Sequence, residues 1–122
     1  MKQNELGIER ARELSPEPPT YSTNQVENQD TLSGYHPLGE EIWKQTGGKL
    51  DAFVHSVGSG ASSRSVATIL KRHKPDLEFV AVEPEESSVL RGGPPGPHNI
   101  EGVGIGYTPP LWDPSLANEI VG

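Results

Sequence analysis

The stretch that most constrains the fold runs from Asp51 to Glu83. It reads as an apolar run, a glycine turn, an amphipathic run and a second apolar run. Ala52, Phe53, Val54 and Val57 make a nearly continuous apolar strand over Asp51 to Val57, the pattern of a strand buried on both faces. Ser62 to His73 places Val66, Ile69 and Leu70 on one helical face. It ends in Lys71, Arg72, His73 and Lys74, cations that suit the negative end of a helix. Pro75-Asp76 stops that helix, and Glu78 to Glu83 supplies a second strand. Strand, helix and strand at this spacing predict parallel pairing with a right-handed crossover. The expected fold class is α/β, with a parallel sheet in three layers.

The flanks carry weaker signals. Glu5 to Leu14 reads as a short helix with Leu6, Ala11 and Leu14 as a thin apolar stripe, ended by Ser15-Pro16-Glu17-Pro18-Pro19. Residues 20 to 34 read as loop. Pro37 to Thr46 reads as a helix, with Pro37 in its first turn and Gly47-Gly48 as its stop. Beyond Pro84 the chain is expected to be mostly loop, and Asp113-Pro114 starts a short helix through Asn118. The apolar residues, 32% of the 122, cluster after residue 35. Residues 1–34 are therefore expected to be poorly ordered or to belong to a different unit from residues 35–122.

Composition narrows the partners. A net charge of −7 argues against binding a nucleic-acid backbone, which needs a basic face. The chain has no Cys, so it can build no disulfide or thiolate metal site, and His36, His55 and His73 have no metal-ligand spacing. The N-terminus shows no apolar leader and no run is long enough to cross a bilayer. These features make a cytoplasmic protein without membrane partners the expectation.

Between strand and helix lies Val57-Gly58-Ser59-Gly60-Ala61-Ser62-Ser63. Ligands of open α/β sheets bind beyond the carboxyl ends of strands, where this turn lies. Gly58 and Gly60 let the backbone approach an anion closely. The following helix offers free N–H groups and its positive dipole end, and Ser59, Ser62 and Ser63 add hydroxyls. Three readings are open on these residues. The serines can simply cap the helix. A phosphate can sit there. A dinucleotide can bind, since Gly58-x-Gly60-x-x-Ser63 approximates the fingerprint and Glu83 ends the next strand as a ribose-binding acid. The Walker pattern is absent.

A wider pattern selects among these. Gly39-Glu40-Glu41-Ile42-Trp43, Asp51 through Gly60, Val80-Ala81-Val82-Glu83-Pro84 and Gly96 through Gly106 resemble, in order and spacing, the cysteine synthase (O-acetylserine sulfhydrylase) family of fold-type II pyridoxal phosphate enzymes. The resemblance covers roughly residues 20–122. It implies pyridoxal 5'-phosphate as cofactor, gripped at Gly58, Ser59, Gly60, Ala61 and Ser62, where the family has Gly-Thr-Gly-Gly-Thr. Ala61 replaces a glycine and puts that grip in doubt if the position needs positive φ. Asn24 to Asn28 is similar to a substrate-binding stretch, which implies Gln25 on the substrate carboxylate, and Gly102 falls in the segment lining the cofactor ring. His98 matches a family position, but a structural or exposed role is expected for it.

The departures are as informative. The family's cofactor-bonding lysine motif and its Asn-rich substrate loop are absent, and Lys2, Lys44, Lys49, Lys71 and Lys74 stand in other contexts. The serine that meets the cofactor's ring nitrogen would fall beyond Gly122. The resemblance thus implies an internal piece of the large domain, with residues 1–34 as a remnant of the small one. The family's activity is a β-replacement, a transferase or lyase reaction of cysteine biosynthesis that turns O-acetylserine and sulfide into cysteine in a homodimer. This chain alone is expected to have no catalytic residue and no activity. The alternative is a truncated, non-catalytic binding or interaction domain.

Overall fold

The computed structural model describes residues 2–16 and 18–122. Helix α1 spans Lys2–Leu14, α2 Asp30–Gln45 and α3 Ala61–His73; strands are β1 (Ala52–Ser56), β2 (Glu78–Val82) and β3 (Glu119–Val121). Short 3-10 turns occupy Glu85–Ser87 and Pro114–Leu116. The sheet has the order β1-β2-β3 and both pairings are parallel, with Ala52 opposite Glu78 and Val80 opposite Glu119. The α/β fold with a parallel sheet is as expected.

The core forms because α3 lays one face on the sheet. Val57, Ala67, Phe79, Ala81 and Trp112 make one buried cluster, with Phe53, Leu90 and Ile120 packed against it. Val66, Leu70 and Leu77 make a second, closed by Ile42, Trp43 and Leu50. Each fully buried Leu or Phe contributes about 1.5–3 kcal/mol by leaving water. Helix α2 packs on α3 at a small-residue contact. Gly39 is buried, and a Cβ there would lie 2.7 Å from the Cβ of Ile69.

Three local expectations need correction. Helix α2 begins at Asp30, inside the expected loop, and carries Pro37 in its interior. Asn28 organises this start. Its side-chain oxygen accepts from Asp30 N–H (3.0 Å) and its carbonyl from the Thr31 hydroxyl (2.6 Å). The missing proline N–H costs one helical hydrogen bond, and the packing of α2 on α3 outweighs it. Next, β1 is not buried on both faces. Phe53 and His55 are half-buried toward α3, whereas Val54 points to the opposite face of the sheet and is 61% exposed.

Finally, the expected helix at Asp113 is a single 3-10 turn that leads into a strand. Asp113 accepts from the Ser115 N–H (3.0 Å) and hydroxyl (2.6 Å). Asn118 then clasps the Phe79 backbone through both its N–H and its side-chain oxygen, which starts β3 beside β2. Helix α1 forms as expected, but its stripe is not a core face: Leu6 is 63% exposed and Leu14 38%.

Candidate functional site

The chain leaves β1 at Ser56 and enters α3 at Ala61, so the intervening turn is short and tightly held. Gly60 is the N-cap, with φ 86° and ψ −12° and no side chain capping the helix. A Cβ at Gly60 would come within 2.9 Å of the Trp112 nitrogen and 3.1 Å of the Leu111 carbonyl carbon. Glycine is therefore required twice there, by conformation and by the backbone behind it. Ala61, by contrast, has no positive φ; it is the first helical residue and is buried. Its Cβ therefore imposes no backbone strain, and the position that needs positive φ is Gly60.

The first turn of α3 is an incomplete hydrogen-bonding system. Among the described residues, the Ser62 and Ser63 N–H groups have no acceptor, while the Arg64 N–H already bonds the Gly60 carbonyl at 3.0 Å. Free N–H groups at the positive end of a helix are an anion site by construction. The serines divide the work. Ser63 is buried and donates its hydroxyl back to the Gly60 carbonyl (3.1 Å), so that proton is already used. Ser59 Oγ takes only a long bond from the Ala61 N–H (3.4 Å), which leaves its own proton available. Ser62 Oγ lies 3.5 Å from His55 Nε2.

A second glycine segment is strapped across this turn. Gly104 N–H donates to the Val57 carbonyl (3.2 Å), and the Gly104 carbonyl accepts from His98 Nε2 (2.8 Å). A Cβ at Gly58 would overlap the Gly102 carbonyl. Thus His98 has a structural role, and Gly58 is needed for close approach of this strap.

The two segments border an open cleft of about 1150 Å³. Its walls are α1, residues 22–26 and residues 96–107, and Ser59 is the part of the glycine turn that reaches it. Gln25 and Gly102, expected as substrate and cofactor contacts, both line it. Gln25 is exposed, and its amide has no described hydrogen-bond partner. The 24–28 turn is fixed by the Asn24 carbonyl, which accepts from the Glu27 and Asn28 N–H groups. Glu27 accepts from the Asn24 amide and from Arg12 (2.9 Å), which ties α1 to the turn. These two bonds, the Asn24 bond foremost, hold the Glu27 carboxyl below the usual carboxylate range.

Arg12 and the α1 wall were not anticipated. Their only sequence signal is the weak 3.6-residue pattern of a mostly polar helix. Conversely, Glu83 is no ribose ligand. It is buried and fully engaged, accepting from Leu90 N–H (2.7 Å), Arg91 N–H (3.1 Å) and Arg91 Nε (3.0 Å). That occupancy removes the acid on which the dinucleotide reading depended.

Four of the five lysines lie elsewhere. Lys71 bonds Asn118, Lys74 bonds Asp51 and the Leu50 carbonyl, and Lys44 and Lys49 are exposed outside the cleft. Among the described residues no cluster of His, Asp or Glu could hold a metal ion.

Comparison with known proteins agrees with this geometry. The family model described as pyridoxal-phosphate dependent enzyme matches residues 4–122. A cysteine synthase of Helicobacter pylori is 40% identical over 107 residues, covering 86% of this chain and 35% of the relative. A crystal structure of cysteine synthase from Entamoeba histolytica superposes with a TM-score of 0.83 at 37% identity, covering 93% of this chain and 34% of the other. An O-acetylserine dependent cystathionine beta-synthase from Helicobacter pylori gives 0.85 at 36% identity, covering 93% and 38%. The chain spans about a third of the length of the relatives it matches.

Proposed function

The chain belongs to the pyridoxal-phosphate dependent enzyme family, and we propose that it supplies the phosphate grip and one cleft wall of a cysteine synthase-type site. The observation that carries this reading is the uncapped start of α3 behind Gly60, opening beside a cleft shared by Ser59, Gln25 and Gly102. The residues fit the cofactor's phosphate. Two free N–H groups and the Ser59 hydroxyl are donors, and a Cβ at Gly60 or Gly58 would collide with the backbone that shapes the turn.

Each residue then has a task. The N–H groups of Ser62 and Ser63 and the hydroxyl of Ser59 hold the phosphate by hydrogen bonding and helix dipole, without a cation. The Ala61 methyl packs behind them. Gly102 to Gly106 line the ring and keep side chains out of its way. Gln25 turns its free amide to the carboxylate of the amino-acid substrate. When bound, pyridoxal phosphate supplies the electron sink for exchanging the β-substituent, acetate for sulfide in the O-acetylserine reaction.

By itself the 122-residue chain is inactive in this reading, because no lysine among the described residues lines the cleft. The expected boundary at residue 34 would cut α2, so the residues before Asp30 then belong with the small domain and α2 onward with the large one. The intact enzyme is a cytoplasmic homodimer with no nucleic-acid or membrane partner. The acidic charge supports the absence of a nucleic-acid partner.

The test is a thermal-shift and absorbance titration of the purified chain. Pyridoxal phosphate should stabilise it and pyridoxal without phosphate should not, with no imine band and no cysteine formed from O-acetylserine and sulfide. Equal response to both compounds would remove the phosphate grip. Stabilisation by NAD alone would restore the dinucleotide reading, and steady cysteine formation would overturn the inactivity.

A further inference from the structure

We infer that His55 is a positioning residue that sets the hydrogen-bonding direction of Ser62, so that anion binding at the glycine turn strengthens when His55 takes up a proton. This rests on the phosphate-grip reading above. The geometry is specific. His55 Nδ1 contacts the carbonyl of Ser56, and its Nε2 lies 3.5 Å from Ser62 Oγ. A carbonyl only accepts, so Nδ1 must carry a hydrogen. In the neutral ring Nε2 is therefore unprotonated and accepts from the Ser62 hydroxyl. The Ser62 proton is then directed to His55 and away from an anion.

Protonation reverses this bond. Nε2–H becomes the donor, Ser62 Oγ the acceptor, and the hydroxyl proton is free to turn toward an anion at the start of α3. The imidazolium also adds a positive charge beside that site. Few other groups bear on His55. Phe53 of the same strand stands 5.5 Å from it, ring to ring, Ala81 of β2 pairs opposite it, and α3 presents Ser62. Among the described residues no Lys, Arg, Asp or Glu forms a hydrogen bond or ion pair with it. His98 also lines the cleft, so the test must separate it from His55.

Sulfate is the suitable probe, because its own charge is constant from pH 5.5 to 8. Sulfate affinity of the full 122-residue chain is measured by calorimetry at both ends of that range, for the wild type, His55→Gln and Ser62→Ala. The wild type should bind about tenfold more tightly at the acid end, the effect of one hydrogen bond gained beside a new charge. His55→Gln and Ser62→Ala should each lose most of that dependence while keeping measurable binding through the backbone N–H groups.

By linkage, sulfate must raise the proton affinity of His55 in the wild type by the same factor. An NMR titration of the His55 ring reads this without any variant. Sulfate binding that is pH-independent, or equally pH-dependent in His55→Gln, overturns the inference and leaves the phosphate grip standing. Retained dependence in Ser62→Ala removes the hydroxyl from it. Absence of sulfate binding at every pH overturns both the inference and the grip.

Discussion

Substituting Gly60 and its neighbour Ala61 tests the site directly, because the structure assigns them opposite needs. Gly60→Ala forces a side chain into φ 86° and drives its Cβ to 2.9 Å from the Trp112 nitrogen. The backbone conformation costs about 1–2 kcal/mol. The contact adds about 1–3 kcal/mol, because the obstructing atoms are backbone and cannot rotate away. The sum, about 2–5 kcal/mol, corresponds to a fall in Tm of roughly 8–20 °C for a chain of this size. Ala61→Gly instead replaces a buried first-turn residue with helical φ, so it loses about 1 kcal/mol and about 4 °C. It leaves the N–H donors where they are. Thermal melts and sulfate titrations of both variants supply the comparison. Gly60→Ala should also lose anion affinity, by about tenfold or more, as the cradle is displaced. A tolerated Gly60→Ala, or an Ala61→Gly that binds anion much more tightly than the wild type, would refute the placement of the strain at Gly60.

Other consequences are simpler to measure. Gly58→Ala should detach the 98–106 strap, since its Cβ overlaps the Gly102 carbonyl, and amide exchange at Gly104 should quicken. Gly39→Ala should lower stability by about 1–3 kcal/mol although alanine is the better helix former, because Ile69 occupies the space. Glu83→Ala should cost about 3 kcal/mol in chemical denaturation by stranding the Leu90 and Arg91 N–H groups, without altering any nucleotide affinity. The Asp113 carboxyl is held below its ordinary 3.8, first by the Ser115 hydroxyl, then by the Ser115 N–H and the Arg64 charge. Its stabilising contribution is therefore present above pH 3.8 and is lost as pH falls through the depressed value. Asp113→Asn should flatten the stability profile in that acid range.

What could be read from the residues was local. The apolar runs 52–57 and 79–82, the amphipathic 62–73 and the glycine turn between them are spelled by neighbours in the chain, and such patterns survive folding because one element satisfies them. Helix α2 was misplaced at its start because Pro37 is a strong local signal. The packing of α2 on α3, with Gly39 against Ile69 and Ile42 and Trp43 against the core, shows why the helix runs through it. Strand β3 has three residues, too few for any periodicity, and exists because Asn118 grips Phe79 from a distance of 39 positions.

The glycine turn shows the same division within one site. Its sequence alone determined that an anion would find glycines, hydroxyls and a helix start together, since those follow from residue type and order. The family pattern pointed to a cofactor phosphate as that anion, which is the reading proposed for the turn. Which residue bears the strain was decided by the Leu111–Trp112 backbone packed behind Gly60, and that packing cleared Ala61. That Glu83 is consumed by Arg91 and Leu90, and that His55 reaches Ser62, were likewise decided in three dimensions. Donors and acceptors can be counted in a sequence, but which of them are already paired depends on what the fold places opposite each one.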